Sequence, residues 1–213
     1  MQSENHGPAP SLPGAAPPDA PMTGTAVLVV DDNPVNRLML ARYVGRLGCT
    51  VVPVEDGSRA LETARAGAFD LILLDILMPG MDGFAVLSAL KADPALRVTP
   101  VIVISALDDV ADVARCLELG ADDYMPKPFT PILLRARLAA ALERKRLRAQ
   151  QQADMQDATR LMEATQALAA GTYDPESLVA VARRPDSLGQ LARSIQRLAR
   201  AVVPRAPSTE DSC

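Results

Sequence analysis

The chain holds 213 residues, carries a formal net charge of −4 and is 48% hydrophobic, enough for one domain with an appendage or two small domains. Only 3% of residues are aromatic and none is Trp, so aliphatic side chains must fill the core. The mild negative charge argues against a general nucleic-acid binder, and no apolar run approaches the ~18 residues of a membrane span.

Cys49, Cys116 and Cys213 show no paired or CxxC spacing. They read as two small core residues and a free tail thiol in a reducing compartment. No basic segment followed by an apolar one opens the chain, so a cytoplasmic protein is expected.

Residues 1–24 contain six prolines and almost no large apolar side chain. Such a segment cannot bury enough surface to offset the entropy of ordering, and a disordered tail is expected there. AVLVVDD then reads as a strand covered on both faces and ending in acids. VNRLMLARYVGRL places Leu38, Leu40, Tyr43, Val44 and Leu47 at helical spacing, with Gly48 as a C-terminal cap. TVVPV is a second strand, which Pro53 assigns to a sheet edge. A helix through SRALETARAG, a strand LILLD, a helix FAVLSALKAD and a strand VIVIS follow. A helix DVADVARCLELG and a short strand DDYMP come next, and a long helix starts at Pro131. Five alternations of strand and helix predict an open, doubly wound α/β sheet of parallel strands.

Ligands of such sheets bind beyond the carboxyl ends of the strands. Asp31 and Asp32 end the first strand, Asp75 the third and Ser105 the fourth, and Lys127 follows the fifth. All five positions therefore fall on one edge. Three carboxylates in one cleft repel one another, and a divalent cation or a lysine relieves this. Mg²⁺ suits a few carboxylates plus water and phosphate oxygens. With such a cation, Asp75 can act as a nucleophile toward phosphorus, while Lys127 and Ser105 meet phosphoryl oxygens. Gly83 and the Pro79–Gly80 pair read as turn chemistry, and Asp82 as a helix N-terminal residue.

The blocks VLVVDDNPVNR, LILLDILMPGMDGF, VIVISA and DDYMPKPF resemble the response-regulator receiver family over residues 26 to about 148. The resemblance implies a CheY-like sheet in strand order 2-1-3-4-5. It implies Asp75 as phosphoacceptor, Asp32 as a direct Mg²⁺ ligand, Asp31 acting through water, and the backbone carbonyl of Leu77 as a further ligand. It also implies Ser105 and Tyr124 as switch residues, and a cis bond before Pro128. The implied partner is a histidine kinase or a histidine phosphotransfer protein. Leu77 and Leu107 stand where family members can carry polar side chains that position water, so slow self-dephosphorylation is expected. Apart from that, no enzymatic turnover is expected.

The remaining residues carry the output. Residues 131–170 contain no internal Pro or Gly after Pro131, which predicts a helix of ~60 Å at ~1.5 Å per residue. The basic cluster at 143–148 reads as a solvated helical face. Ala158, Leu161, Thr165 and Leu168 step by three and four. After a loop of about 15 residues, Leu188, Leu191, Ile195, Leu198 and Val202 repeat as a heptad seam that wants a partner helix. LMEATQALAAGTYDPESLVAVARRPDSLGQLARSIQRLAR is similar to a HAMP domain, although Ser187 stands where that family has Glu and the connector is longer. The alternative is an unrelated helical hairpin.

The expected organisation is a tail (1–24), a receiver (25–148), a helical dimerisation segment (149–203) and a short tail (204–213). The expected function is a phosphoacceptor response regulator that forms a homodimer, with no membrane or nucleic-acid partner. Two rival readings are a DNA-binding regulator working through the 143–148 cluster and a Mg²⁺-dependent aspartyl phosphohydrolase. Such hydrolases commonly carry a second Asp at the position held here by Leu77.

Overall fold

The computed structural model describes residues 22–106 and 109–202. Leu107, Pro204, Cys213, the tail up to residue 21 and the tail from 204 lie outside the described residues. The elements are β1 (Ala26–Val30), α1 (Pro34–Arg46), β2 (Thr50–Val54), α2 (Gly57–Ala66), β3 (Leu71–Leu74), α3 (Gly83–Ala92), β4 (Val101–Ser105), α4 (Val110–Glu118), β5 (Asp123–Pro126) and α5 (Pro131–Ala169). A 3₁₀ turn (Pro175–Leu178), α6 (Val179–Ala182) and α7 (Ser187–Val202) complete the order. The chain divides into two compact units, Met1–Leu142 and Glu143–Cys213, so the division falls inside α5.

In the first unit five parallel strands form one sheet in the order β2-β1-β3-β4-β5. Alternating side chains of a strand point to opposite faces, and both faces here are covered. Leu28, Val30, Ile72, Leu74, Val101 and Val103 pack with Ala60, Leu87 and Cys116 from α2, α3 and α4. Val27, Val29, Leu71, Leu73, Ile102 and Ile104 pack with Leu40 and Val44 of α1 and Leu134 and Leu138 of α5. This two-sided burial explains the unbroken apolar runs in the sequence.

Each of the first four helices starts at a side-chain cap. Asn33 accepts from the N–H groups of Val35 and Asn36, and Asp56, Asp82 and Asp109 do the same for α2, α3 and α4. Leu38 departs from expectation: it is exposed. It lies about 200° around α1 from Leu40, so it cannot share the buried stripe of Leu40 and Val44. The chain also joins the core before the expected domain start, because Met22 packs against it and its N–H donates to the Leu47 carbonyl.

Pro53 lies on β2, an edge strand. The Thr50 N–H donates to Thr25 and the Val54 carbonyl accepts from Asp31, so alternate residues of β2 face β1. Pro53, out of phase with them, turns its donorless nitrogen to the open edge.

Gly83 is more than a turn residue. It opens α3 directly against β3's exit, where a Cβ would stand 2.2 Å from the Asp75 carbonyl oxygen and 2.5 Å from the Ile76 Cα. Gly80, with φ +78°, is the residue that serves the turn. Gly83→Ala should lower unfolding stability by about 2–3 kcal/mol through overpacking against backbone. Urea denaturation checks this, and a loss below about 0.5 kcal/mol would mean that the loop yields freely.

In the second unit Leu161 and Ala164 of α5, Leu178 and Val181 of the connector, and Ala192 and Ile195 of α7 form a small core. The connector is therefore not a plain loop, because its two short helical turns supply Leu178 and Val181 to that core. Arg184, just before α7, pairs with Asp154 and Asp157 of α5 and with Asp186. Farther along, Leu161 and Ala164 of α5 share a core with Ala192 and Ile195 of α7. These contacts make α5 and α7 run parallel. The buried stripe of α7 is Ala192, Ile195 and Ala199, with Leu188 half-buried. Leu191 and Leu198, expected in the seam, are 51% and 59% exposed. Small alanines let the connector approach closely, and the leucines are displaced to one side.

Candidate functional site

Parallel strands bring the sequence-predicted residues to one edge of the sheet. Asp31 leaves β1, Asp75 leaves β3, Ser105 ends β4 and Lys127 follows β5. Asp31, Asp75 and Ser105 are buried. Asp31, Asp32 and Asp75 each offer an oxygen, and these oxygens all lie within 4.8 Å of one another.

The Ser105 hydroxyl donates to one Asp75 oxygen at 2.7 Å. Lys127 Nζ donates to the other Asp75 oxygen and to Asp31 at 2.8 Å. The Leu77 N–H donates to Asp75 at 3.2 Å, while the Leu77 side chain is 54% exposed. Tyr124 is half-buried against the core, and its hydroxyl donates to the Ser105 carbonyl at 3.2 Å. The bond between Lys127 and Pro128 is cis. Leu107 lies outside the described residues.

Burial pushes the Asp31 carboxyl above its usual range, and the nearby Asp75 adds to this, despite the opposing pull of Lys127. Burial alone would lower the Lys127 ammonium, but its hydrogen bonds to Asp31 and Asp75 hold it above the usual lysine value. The site thus stores excess negative charge around one fixed cation. Three oxygen donors in close register, with no sulfur or imidazole among them, suit a hard divalent ion such as Mg²⁺.

The sequence reading passed over Arg37. Its guanidinium donates to the Asp31 carbonyl at 2.7 Å and the Asp32 carbonyl at 3.1 Å, and lies 3.8 Å from Glu55. An arginine one helical turn beyond a pair of strand-end acids was the available signal. Beside the site, a cleft of about 320 Å³ is lined by Asn36, Met39, Leu40, Lys127, Pro128 and Phe129. Exposed Val35, Leu38 and Met39 stand on the same helix, α1.

Among the described residues no helix is long and apolar enough to cross a membrane. The acids at the other edge of the sheet serve the fold. Asp70 accepts from the Ala26 N–H, and Asp122 accepts from Lys91 and the Val101 N–H.

Residues 27–139 match the model of the response regulator receiver domain. The chain is 46% identical over 121 residues to the transcriptional activator protein PfeR of Pseudomonas aeruginosa, covering 57% of this chain and 39% of that protein. It is 42% identical over 118 residues to the DNA-binding response regulator MtrA of Mycolicibacterium smegmatis, covering 55% of this chain and 50% of that one. The chain thus spans half or less of the length of these two relatives. Among solved structures, the BeF3-activated N-terminal receiver domain of Klebsiella pneumoniae RstA is 33% identical. Its TM-score is 0.52, over 55% of this chain and 98% of that one. The signal receiver domain of a histidine kinase from Syntrophus aciditrophicus is 36% identical, with a TM-score of 0.53 over 56% and 91%. A five-stranded sheet in this order, an acidic strand-end site and a matching family model over more than half of its length place the chain in the response regulator receiver domain family.

Proposed function

We propose that this protein accepts a phosphoryl group on Asp75 and relays the signal through its C-terminal helices. The observation that carries the reading is Asp75 itself, a buried carboxylate held between the Ser105 hydroxyl and Lys127, beside two further acids. Asp31, Asp32, Asp75 and the Leu77 carbonyl would hold Mg²⁺, which supplies charge neutralisation for phosphoryl oxygens.

An Asp75 oxygen attacks phosphorus as the bond from phosphorus to the donor nitrogen breaks, giving an acyl phosphate and a free imidazole. Lys127 and Ser105 then turn from the carboxylate to the phosphoryl oxygens. Movement at Ser105 is passed to Tyr124 through the hydrogen bond from its hydroxyl to the Ser105 carbonyl. The donor is a histidine kinase or a histidine phosphotransfer protein. It docks on Val35, Leu38 and Met39, the exposed apolar surface of the helix that also lines the neighbouring cleft. Incubation with Mg²⁺ and acetyl phosphate, followed by mass spectrometry, tests the reading. A phosphoryl-sized mass gain at Asp75 supports it, and an unmodified protein overturns it.

Leu77 offers no hydrogen bond to an attacking water, so the acyl phosphate should persist. A phosphoryl half-life of a few seconds would count against this.

The helical unit is HAMP-like in this reading and forms a homodimer. The parallel course of α5 and α7 supports it. So do exposed Met155 and Met162 on α5 and exposed Leu191 and Leu198 on α7, each pair seven residues apart. Light scattering with and without beryllofluoride should find a dimer in at least one state, and Leu191→Glu with Leu198→Glu should halve the mass. A wild-type monomer in both states sinks the bundle.

The names of the relatives favour a second reading, in which the protein binds DNA. Of the 143–148 cluster, Arg146 already pairs with Glu143, and no nucleic-acid partner is proposed. A salt-dependent shift of nonspecific duplex would reverse that.

A further inference from the structure

We propose that Arg37 is a positioning residue for the cation site, holding the turn that presents Asp31 and Asp32. The inference rests on reading those acids as Mg²⁺ ligands. The turn runs from the last residue of β1 to Pro34, where α1 starts. Its carbonyls at Asp31 and Asp32 precede the helix, so they lie outside the helix's own hydrogen-bond ladder.

One terminal nitrogen of Arg37 reaches back from the second turn of α1 and donates to both carbonyls, at 2.7 and 3.1 Å. The Asp31 N–H donates to the Val54 carbonyl. The Asn33 N–H donates to one Asp31 oxygen at 3.0 Å. The backbone of the turn is thereby fixed from three sides. The other Asp31 oxygen meets Lys127, and Asp32 is left to project from a rigid frame.

Arg37 carries a positive charge close to a site built for a cation, and on charge alone it would oppose binding. Two features weaken that opposition. Glu55, leaving β2, lies 3.8 Å from the guanidinium and offsets its charge. The hydrogen bonds of Arg37 also end on carbonyls, so no carboxylate oxygen is taken from the cation. Holding the turn therefore outweighs repulsion, because a cation ligated by few protein groups depends on their being pre-placed. Lysine is not equivalent: its ammonium lacks the planar fork that serves both carbonyls and Glu55 together.

Mg²⁺ titrated calorimetrically into the metal-free protein tests this, with Mn²⁺ binding followed by electron paramagnetic resonance as a second readout. Arg37→Ala should raise the Mg²⁺ dissociation constant about tenfold, and Arg37→Lys should fall between it and wild type. Metal-free thermal melts of both variants separate a weakened site from a weakened fold. A dissociation constant within twofold of wild type, with only a lowered melting temperature, overturns the inference and leaves Arg37 as a structural residue. Tighter binding by Arg37→Ala also overturns it, because charge would then dominate. Wild-type protein that takes up no Mg²⁺ overturns the cation-site reading and this inference together.

Discussion

Asp75→Asn should take up no phosphoryl group from acetyl phosphate or from a phosphohistidine donor. The amide nearly matches the carboxylate in shape and can still accept from Ser105, so the fold should hold. It lacks the charged nucleophilic oxygen, however, and it removes one of three carboxylates facing the cation. Radiolabel or mass gain should fall to background, and beryllofluoride should no longer change any property of the protein. Label that persisted on a neighbour such as Asp32 would move the acceptor to that residue. Label at the wild-type level would remove the basis for the function proposed above.

Lys127→Ala should be strongly damaging to the metal-free fold. The ammonium is a direct partner of two buried carboxylates, Asp31 and Asp75. Removing one member of a buried ion pair costs about 3–5 kcal/mol, because the remaining charge is left without compensation. The lower end applies here, since Asp31 already sits above its usual range and can take up a proton. Mg²⁺ should restore part of the loss. Urea denaturation with and without Mg²⁺ measures both effects, and equal stability of variant and wild type without metal would contradict the expectation. The sign with pH follows from the raised Lys127 ammonium. Its contribution is complete at neutral pH and is lost as pH rises through its elevated folded-state value.

The strands and their order could be read from the chain because parallel strands buried on both faces leave unbroken apolar runs. The convergence of Asp31, Asp32, Asp75, Ser105 and Lys127 could be read because parallel strands put their carboxyl ends on one edge. What escaped reading depended on packing rather than on pattern. Gly83 looked like one more glycine in a turn, since nothing local shows that Asp75 and Ile76 lie where its side chain would be. Leu38 was counted with the buried face because hydrophobicity alone does not tell which stripe of a helix meets the sheet. In α7 the leucines drew attention and the alanines did not. The buried stripe runs through Ala192 and Ala199, and the short side chain of Ala192 admits the connector. Arg37 escaped because its partners are backbone carbonyls, so that only its spacing after the strand-end acids pointed to it.

Pro53 has a consequence for how the molecule meets its neighbours. A bare sheet edge is a template on which a strand of another chain can zip, and natural proteins block such edges. With the proline nitrogen turned to the open side of β2, an incoming strand would find a missing donor at the fourth residue of a five-residue edge. Strand-to-strand polymerisation of the sheet is disfavoured there. At this edge, concentrated protein is thereby protected from fibre-like growth.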